Sequence, residues 1–355
     1  MPDRERDTVA PAFEIFVNGN RLPPEAATDL FLLEVTDDLD GVGMFALSLN
    51  AGDPRSLGTK WIDTNEFREG NKVTVKMGFH APLPDVMSGE ITGLEPEFPE
   101  RGPLVLTVRG YDPLYRLALG RKTRSFRNMK DSDIAAQIAN DWTLSPAVED
   151  TTVTHEYVFQ NNRTDLEFLL ERARRIGYEV KAEDGHLAFR RRRESGTAVA
   201  SLAYGEGLLS FAPRLSLVMQ ASEVVVQGWD ARDKREMRGR AGAGDEASRM
   251  GGTDTGATLV QGLVGATPLV VVGEPPATPE DAESMARGRF NLMAFDLVRG
   301  EARCMGDPRI RAGVVVELRE IGRRFSGRYY VTSVTHTLST RRGYVTTFGV
   351  ERSAA

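Results

Sequence analysis

Between positions 13 and 116, apolar residues recur in short alternating runs broken by turn residues, the period-two pattern of half-buried strands. Strands are predicted at 13–17, 30–36, 43–49, 72–79, 85–95 and 104–109, with no long helix among them. Strands this short and this regularly spaced point to a barrel or sandwich. Near position 120 the period changes. Ile134, Ile138 and Trp142 recur at spacing four behind Asp131, which predicts a helix capped by that aspartate. Thr164 and Glu167 form a Thr-x-x-Glu capping box around Leu166, Leu169, Leu170 and Ala173, and Gly177 closes that helix. The runs 178–182 and 186–190 then flank Glu183-Asp184-Gly185, a hairpin signature.

Past position 200 the pattern returns to strands, clearest at 223–229, 314–318, 327–337 and 344–351. One helix is predicted near 279–297. Thr278 suits its N-cap, Pro279 its first position, and Glu280 and Asp281 its positive end. Ala282, Met285, Ala286, Phe290 and Met293 supply its apolar stripe. Residues 231–257 are rich in glycine and charge, with few large apolar side chains, and read as a loop that is flexible or becomes ordered on assembly.

The two β-rich regions echo each other. Phe67-Arg68-Glu69-Gly70, followed by Val73 and Val75, parallels Ile310-Arg311-Ala312-Gly313, followed by Val316 and Leu318. Ser88-Gly89 leads into Ile91-Thr92-Gly93-Leu94 as Ser326-Gly327 leads into Val331-Thr332-Ser333-Val334. Gly102 and Gly343 each open the last strand of their region. The predicted fold class is therefore mainly β with an α+β insertion. Two similar β-barrel-like domains (11–119 and 196–355) enclose a small helix-hairpin module (120–195), behind a disordered N-terminus at 1–10.

Composition narrows the function. Among 355 residues, 51 acidic side chains outnumber 45 basic ones, so no overall basic field would draw the chain to nucleic acid. Its single cysteine, Cys304, excludes an internal disulfide framework and reads as a small buried apolar residue. The charged start of the chain lacks the apolar core of a secretory signal, which predicts synthesis in the cytoplasm. The most apolar stretch, 257–273, is broken by Gly262, Gly265 and Pro268, and no stable membrane insertion is expected.

No catalytic, cofactor or metal constellation emerges. His80, His155, His186 and His336 are scattered without metal-ligand spacing. Gly242-Ala243-Gly244-Asp245-Glu246-Ala247 fits a loose dinucleotide pattern, but a charged stretch precedes it where a buried strand is needed. Asp37-Asp38-Leu39-Asp40-Gly41 lacks the terminal glutamate of a calcium loop and reads as a turn. The run Arg190 to Arg193 has no interleaved aromatics and reads as a solvated strand end or a protein interface. Residues 257–272 are candidates for burial between subunits.

The segment Tyr157-Val158-Phe159-Gln160-Asn161-Asn162-Arg163-Thr164-Asp165-Leu166-Glu167-Phe168-Leu169-Leu170-Glu171-Arg172, continued by Ile176-Gly177-Tyr178 and by Asp184-Gly185-His186-Leu187-Ala188-Phe189, closely resembles the phage late control gene D and VgrG family. Val108-Arg109-Gly110-Tyr111-Asp112 and Leu114-Tyr115-Arg116-Leu117 extend the resemblance. Membership implies a homotrimeric structural hub, with two tube-like domains per chain, in a contractile injection machine. Its partners would be the inner tube or its initiator, other baseplate components and a spike, expected as a separate protein because the chain stops at Ala355 without a β-helical extension. The particle would be assembled in the cytoplasm and released. The alternatives are a receptor- or glycan-binding baseplate protein and a tail-tip cell-wall hydrolase, the latter disfavoured by the missing catalytic set.

Overall fold

The computed structural model describes residues 10–52, 58–183 and 185–355. The disorder expected at 1–10 lies outside these residues apart from Ala10, as does Asp184 of the predicted hairpin turn.

The first region contains β1 (Ala12–Val17), β2 (Asn20–Arg21), α1 (Pro24–Asp29), β3 (Leu30–Asp38), β4 (Met44–Asn50), β5 (Lys72–Gly78), β6 (Asp85–Glu97) and β7 (Val105–Tyr111). The module follows with β8 (Lys122–Lys130), α2 (Asp131–Asp141), β9 (Ser145–Val148), β10 (Thr154–Arg163), α3 (Asp165–Arg175), β11 (Tyr178–Glu183) and β12 (His186–Arg191). The third region opens with β13 (Ala198–Tyr204), β14 (Gly207–Leu215), β15 (Glu223–Asp230), β16 (Arg235–Gly242), α4 (Gly256–Val264) and β17 (Pro268–Val271). It ends with α5 (Pro279–Phe295), β18 (Val298–Met305), β19 (Val315–Arg319), β20 (Gly327–Ser339) and β21 (Gly343–Arg352).

Thirteen strands form one ribbon in the order β19-β13-β14-β18-β21-β20-β3-β4-β7-β6-β5-β1-β2. β19 also pairs with β20, closing the first six strands into a barrel. The other seven form the barrel-like sheet of the first region, where α1 adds the fully buried Ala26 to the core. β20 joins the two. Along one edge its first residues pair with β19, and Ser333 to Ser339 pair with β3.

The echo in the sequence is a duplication in space. Ile91 pairs with Gly110 and Gly93 with Arg109, leaving Thr92 as a bulge; Val331 pairs with Val350 and Ser333 with Gly349, leaving Thr332 as a bulge. Gly70, at φ +85°, donates to Ile91 O, and Gly313, at φ +83°, donates to Val331 O, both at 2.8 Å. An extra residue held at the same place in both meanders fixes the same bend, and glycine alone takes that positive φ without strain.

The module has its own core. Ile134 and Ile138 of α2 and Leu166, Leu169 and Ala173 of α3 are buried with Leu187 and Phe189 of β12. The capping box forms as predicted: Glu167 N donates to Thr164 Oγ1 at 3.1 Å and Thr164 N to Glu167 Oε2 at 3.0 Å. Gly177, at φ +71°, ends α3.

The third region differs from expectation between its barrel strands. The segment 231–257, expected to be a flexible loop, includes β16, paired with β15 along its whole length. Burial there comes from small residues that hydrophobic patterning undercounts. Ala241 is fully buried, and a Cβ on Gly239 would lie 2.0 Å from Ala282 O of α5. β15, β16 and β17, with α5 across them, thus enclose a second core.

Candidate assembly surface

Residues of the helix-hairpin motif turn inward. Gln160, fully buried, donates to Asp165 Oδ1 at 2.9 Å and Arg163 O at 3.0 Å, and accepts from Arg124 Nε at 2.8 Å. Asp165 also accepts from Lys122 at 2.6 Å, Trp142 Nε1 at 2.7 Å and Arg124 at 2.8 Å. Burial alone would raise the Asp165 carboxyl, but the bonds from Lys122, Gln160 and Trp142, with the Arg124 charge, outweigh it and hold the group below the usual carboxylate range.

Asp131, expected to cap α2 from outside, is instead its first residue and is buried. The Lys130 N–H is taken by Asp133 at 3.2 Å. Asp131 turns inward because Arg172 waits there, donating through Nε at 2.6 Å and Nη2 at 2.9 Å, with His155 beside both. Burial pushes the Asp131 carboxyl up, and His155 and Arg172 together hold it below the usual range.

The arginine run is a second correction. Arg190 is buried against Glu179 and Glu183, and Arg192 bonds Glu351 while lying 4.5 and 4.6 Å from the Phe295 and Tyr330 ring centres. Two of the four arginines are therefore internal: Arg190 closes the hairpin within the module, and Arg192, just past β12, ties the module to the second barrel. Tyr330 OH donates to Glu179 Oε2 at 2.7 Å, and Lys181 donates to Asp37 at 2.9 Å, extending that tie to both β-regions.

His80 is exposed, His155 and His336 are buried on strands, and His186 begins β12. Burial pushes the Cys304 thiol up to about 12. The glycine pattern at 242–247 follows β16 into a turn, where Gly242 N donates to Asp245, and no helix starts there. Asp37 and Asp38 end β3 and the turn follows at 39–41, with Asp40 N donating to Asp38 at 2.8 Å.

Two buried groups give stability opposite pH slopes. Burial lowers His336 to about 4, with Nε2–H donating to Ile310 O at 3.0 Å. Its contribution is complete above about pH 6.5 and lost as pH falls to 4, about 3 kcal/mol in all. Burial raises Asp112 to about 6 against the bonds from Gly43 and Leu114. Its contribution is complete below about pH 3.8 and lost as pH rises through 6. Urea unfolding from pH 7 to 4 is expected to show wild type losing its advantage over His336→Gln while gaining on Asp112→Asn. Parallel curves would contradict both assignments.

A cleft of about 580 Å³ between module and α5 is lined by Asp131, Arg192 and Asp281, all ion-paired, with Arg172, Glu351 and Arg175. Apolar side chains lie exposed on another part of the surface. Leu263, Val264 and Val272 are each at least two-thirds exposed, and Leu269 and Val270 of β17 nearly half. Among the described residues β17 pairs on one side only, with β15. Ala257 and Val260 of the same stretch are buried within the chain. Among the described residues no helix is long and apolar enough to cross a membrane.

Solved structures share this architecture. A prophage tail protein from Shewanella oneidensis superposes with TM-score 0.72 at 15% identity, over 97% of this chain and 99% of that one. A tail protein from Neisseria meningitidis gives 0.69 at 13%, over 97% of each. An E. coli component of the type VI secretion system, similar in structure to T4 bacteriophage tail proteins, gives 0.62 at 13%, over 95% of this chain and 76% of that one. The fold is thus that of phage tail and type VI secretion proteins. No curated protein matches in sequence. The model of one family, the Alg8 N-terminal domain, matches residues 7–340, and the chain belongs to that family.

Proposed function

We propose that this chain is the structural hub of a contractile injection machine, a homotrimer that joins a six-fold inner tube to a three-fold spike. The observation that carries the reading is the duplicated β-meander, with matching bulges at Thr92 and Thr332, inside one continuous ribbon. Two like units per chain and three chains per ring give six similar units around an axis. The resemblance to the late control gene D and VgrG family and the tail-protein fold support the same role. In this reading 11–119 and 196–355 are the tube-like domains, 120–195 is a module braced against them by the buried ion pairs, and the apolar strip at 263–272 meets other baseplate components.

Light scattering at several concentrations tests the reading. The expected mass is three times the 39.1 kDa of one chain. A monomer that stays monomeric when mixed with tube and spike proteins would overturn it.

A further inference from the structure

Among the described residues, two strand edges stay open where the duplication would have them paired: beyond Ile91, β6 bonds only to β7, and beyond Leu208, β14 bonds only to β18. In the second half of the duplication, the matching edge of β20 is filled by β3.

The strand equivalences follow from the pairing itself. Ile91 and Val331 precede the two bulges, so Pro96 stands where His336 stands. Val35 pairs with Phe45, which pairs with Gly110; Pro213 pairs with Gly300, which pairs with Val350. Gly110 and Val350 are the partners of Ile91 and Val331, so Pro213 stands where Val35 stands. Within the chain His336 pairs with Val35.

Resting on the trimeric reading, we propose that the β20–β3 seam recurs between subunits, with β6 of one copy pairing β14 of the next in the register Pro96 opposite Pro213. The side chains fit it. Leu94 then faces Leu215 and Phe98 faces Phe211, continuing the apolar face that Val334, His336 and Leu338 present to β3 in the internal seam. Leu94 is already packed on the first core and Phe211 and Leu215 on the barrel core, each only half-buried, while Phe98 is 66% exposed. On the opposite face Glu95, which already accepts from Arg109 Nε of its own chain at 2.7 Å, comes to face the exposed Arg214. The internal seam places Thr335 against Thr36 there. Proline supplies no N–H, so the Pro96–Pro213 pair adds no ladder hydrogen bond and the seam is held by the pairs on either side of it.

The test replaces Glu97 and Ala212, opposite each other in this register, by cysteine together. Directly opposed residues of an antiparallel pair lie within disulfide reach. Mild oxidation is expected to give covalent dimers and trimers from the double variant and none from either single one. Independently, Glu95→Arg is expected to weaken the trimer at least tenfold, and adding Arg214→Glu to restore it. A wild-type trimer with neither cross-link nor rescue overturns the seam and leaves the hub reading standing. A wild-type chain that is monomeric at every concentration and stays so when mixed with tube and spike proteins removes both.

Discussion

Asp131→Ala is expected to destabilise the protein by about 3–5 kcal/mol, the usual result of removing one partner of a buried ion pair. Asp131 is 3% exposed and Arg172 8%, so the guanidinium left behind is largely buried without the carboxylate that both its Nε and Nη2 bond. The pair joins the first turn of α2 to the last turn of α3, with His155 of β10 between them. Its loss therefore loosens the module as a unit. Removing both charges is a different case, because matched apolar replacements of buried pairs are often neutral. Urea unfolding followed by the helical circular dichroism signal is expected to rank Asp131→Ala below the double variant Asp131→Leu, Arg172→Met. If the single change costs under about 1 kcal/mol, the pair behaves like a solvated surface bridge and its structural role is wrong.

Gly239→Ala is expected to cost at least about 3 kcal/mol, the upper end of ordinary overpacking. The added Cβ would sit 2.0 Å from Ala282 O and 2.4 Å from Glu283 N. Those are backbone atoms, so no rotamer change relieves the clash and α5 must leave β16. The helix has little room to retreat, since across the module boundary a Cβ on Gly288 would lie 2.4 Å from the Ile176 carbonyl carbon. Limited proteolysis is expected to cut the variant between β16 and α4 well before wild type. Gly262→Ala is the control: its Cβ meets open space in α4, and alanine there is expected to be neutral or to stabilise the helix by up to about 1 kcal/mol. Equal protease sensitivity in wild type and Gly239→Ala would show that α5 does not depend on that contact.

Much of this architecture is legible in the chain. The Thr164–Glu167 box marks the start of α3 to the residue, because a cap needs only a hydroxyl and a carboxylate three positions apart. The stripe from Ala282 to Met293 marks the buried face of α5 because helical spacing alone decides it. The 67–94 and 310–334 echo foretells the duplicated meander, since the same glycines and β-branched residues meet the same bend.

Other features are long-range pairings, which no local period encodes. Asp131 reads as a cap until Arg172, 41 positions away, is brought beside it. The arginine run reads as solvated until Glu179, Glu351 and two aromatic rings surround it. β16 reads as loop because its burial rests on alanine and glycine against a helix backbone. The sequence by itself determined the class of α2, α3, α5 and the strands of the two meanders, and the repetition of one β-unit, since local backbone preference and side-chain periodicity suffice for both, whereas β8, β10, β13, β14, β16, β18 and α4 carried no such local signal. Only the tertiary structure decided which charges are internal, which region closes its barrel and which two edges remain open, because each depends on residues far apart in the chain meeting in space.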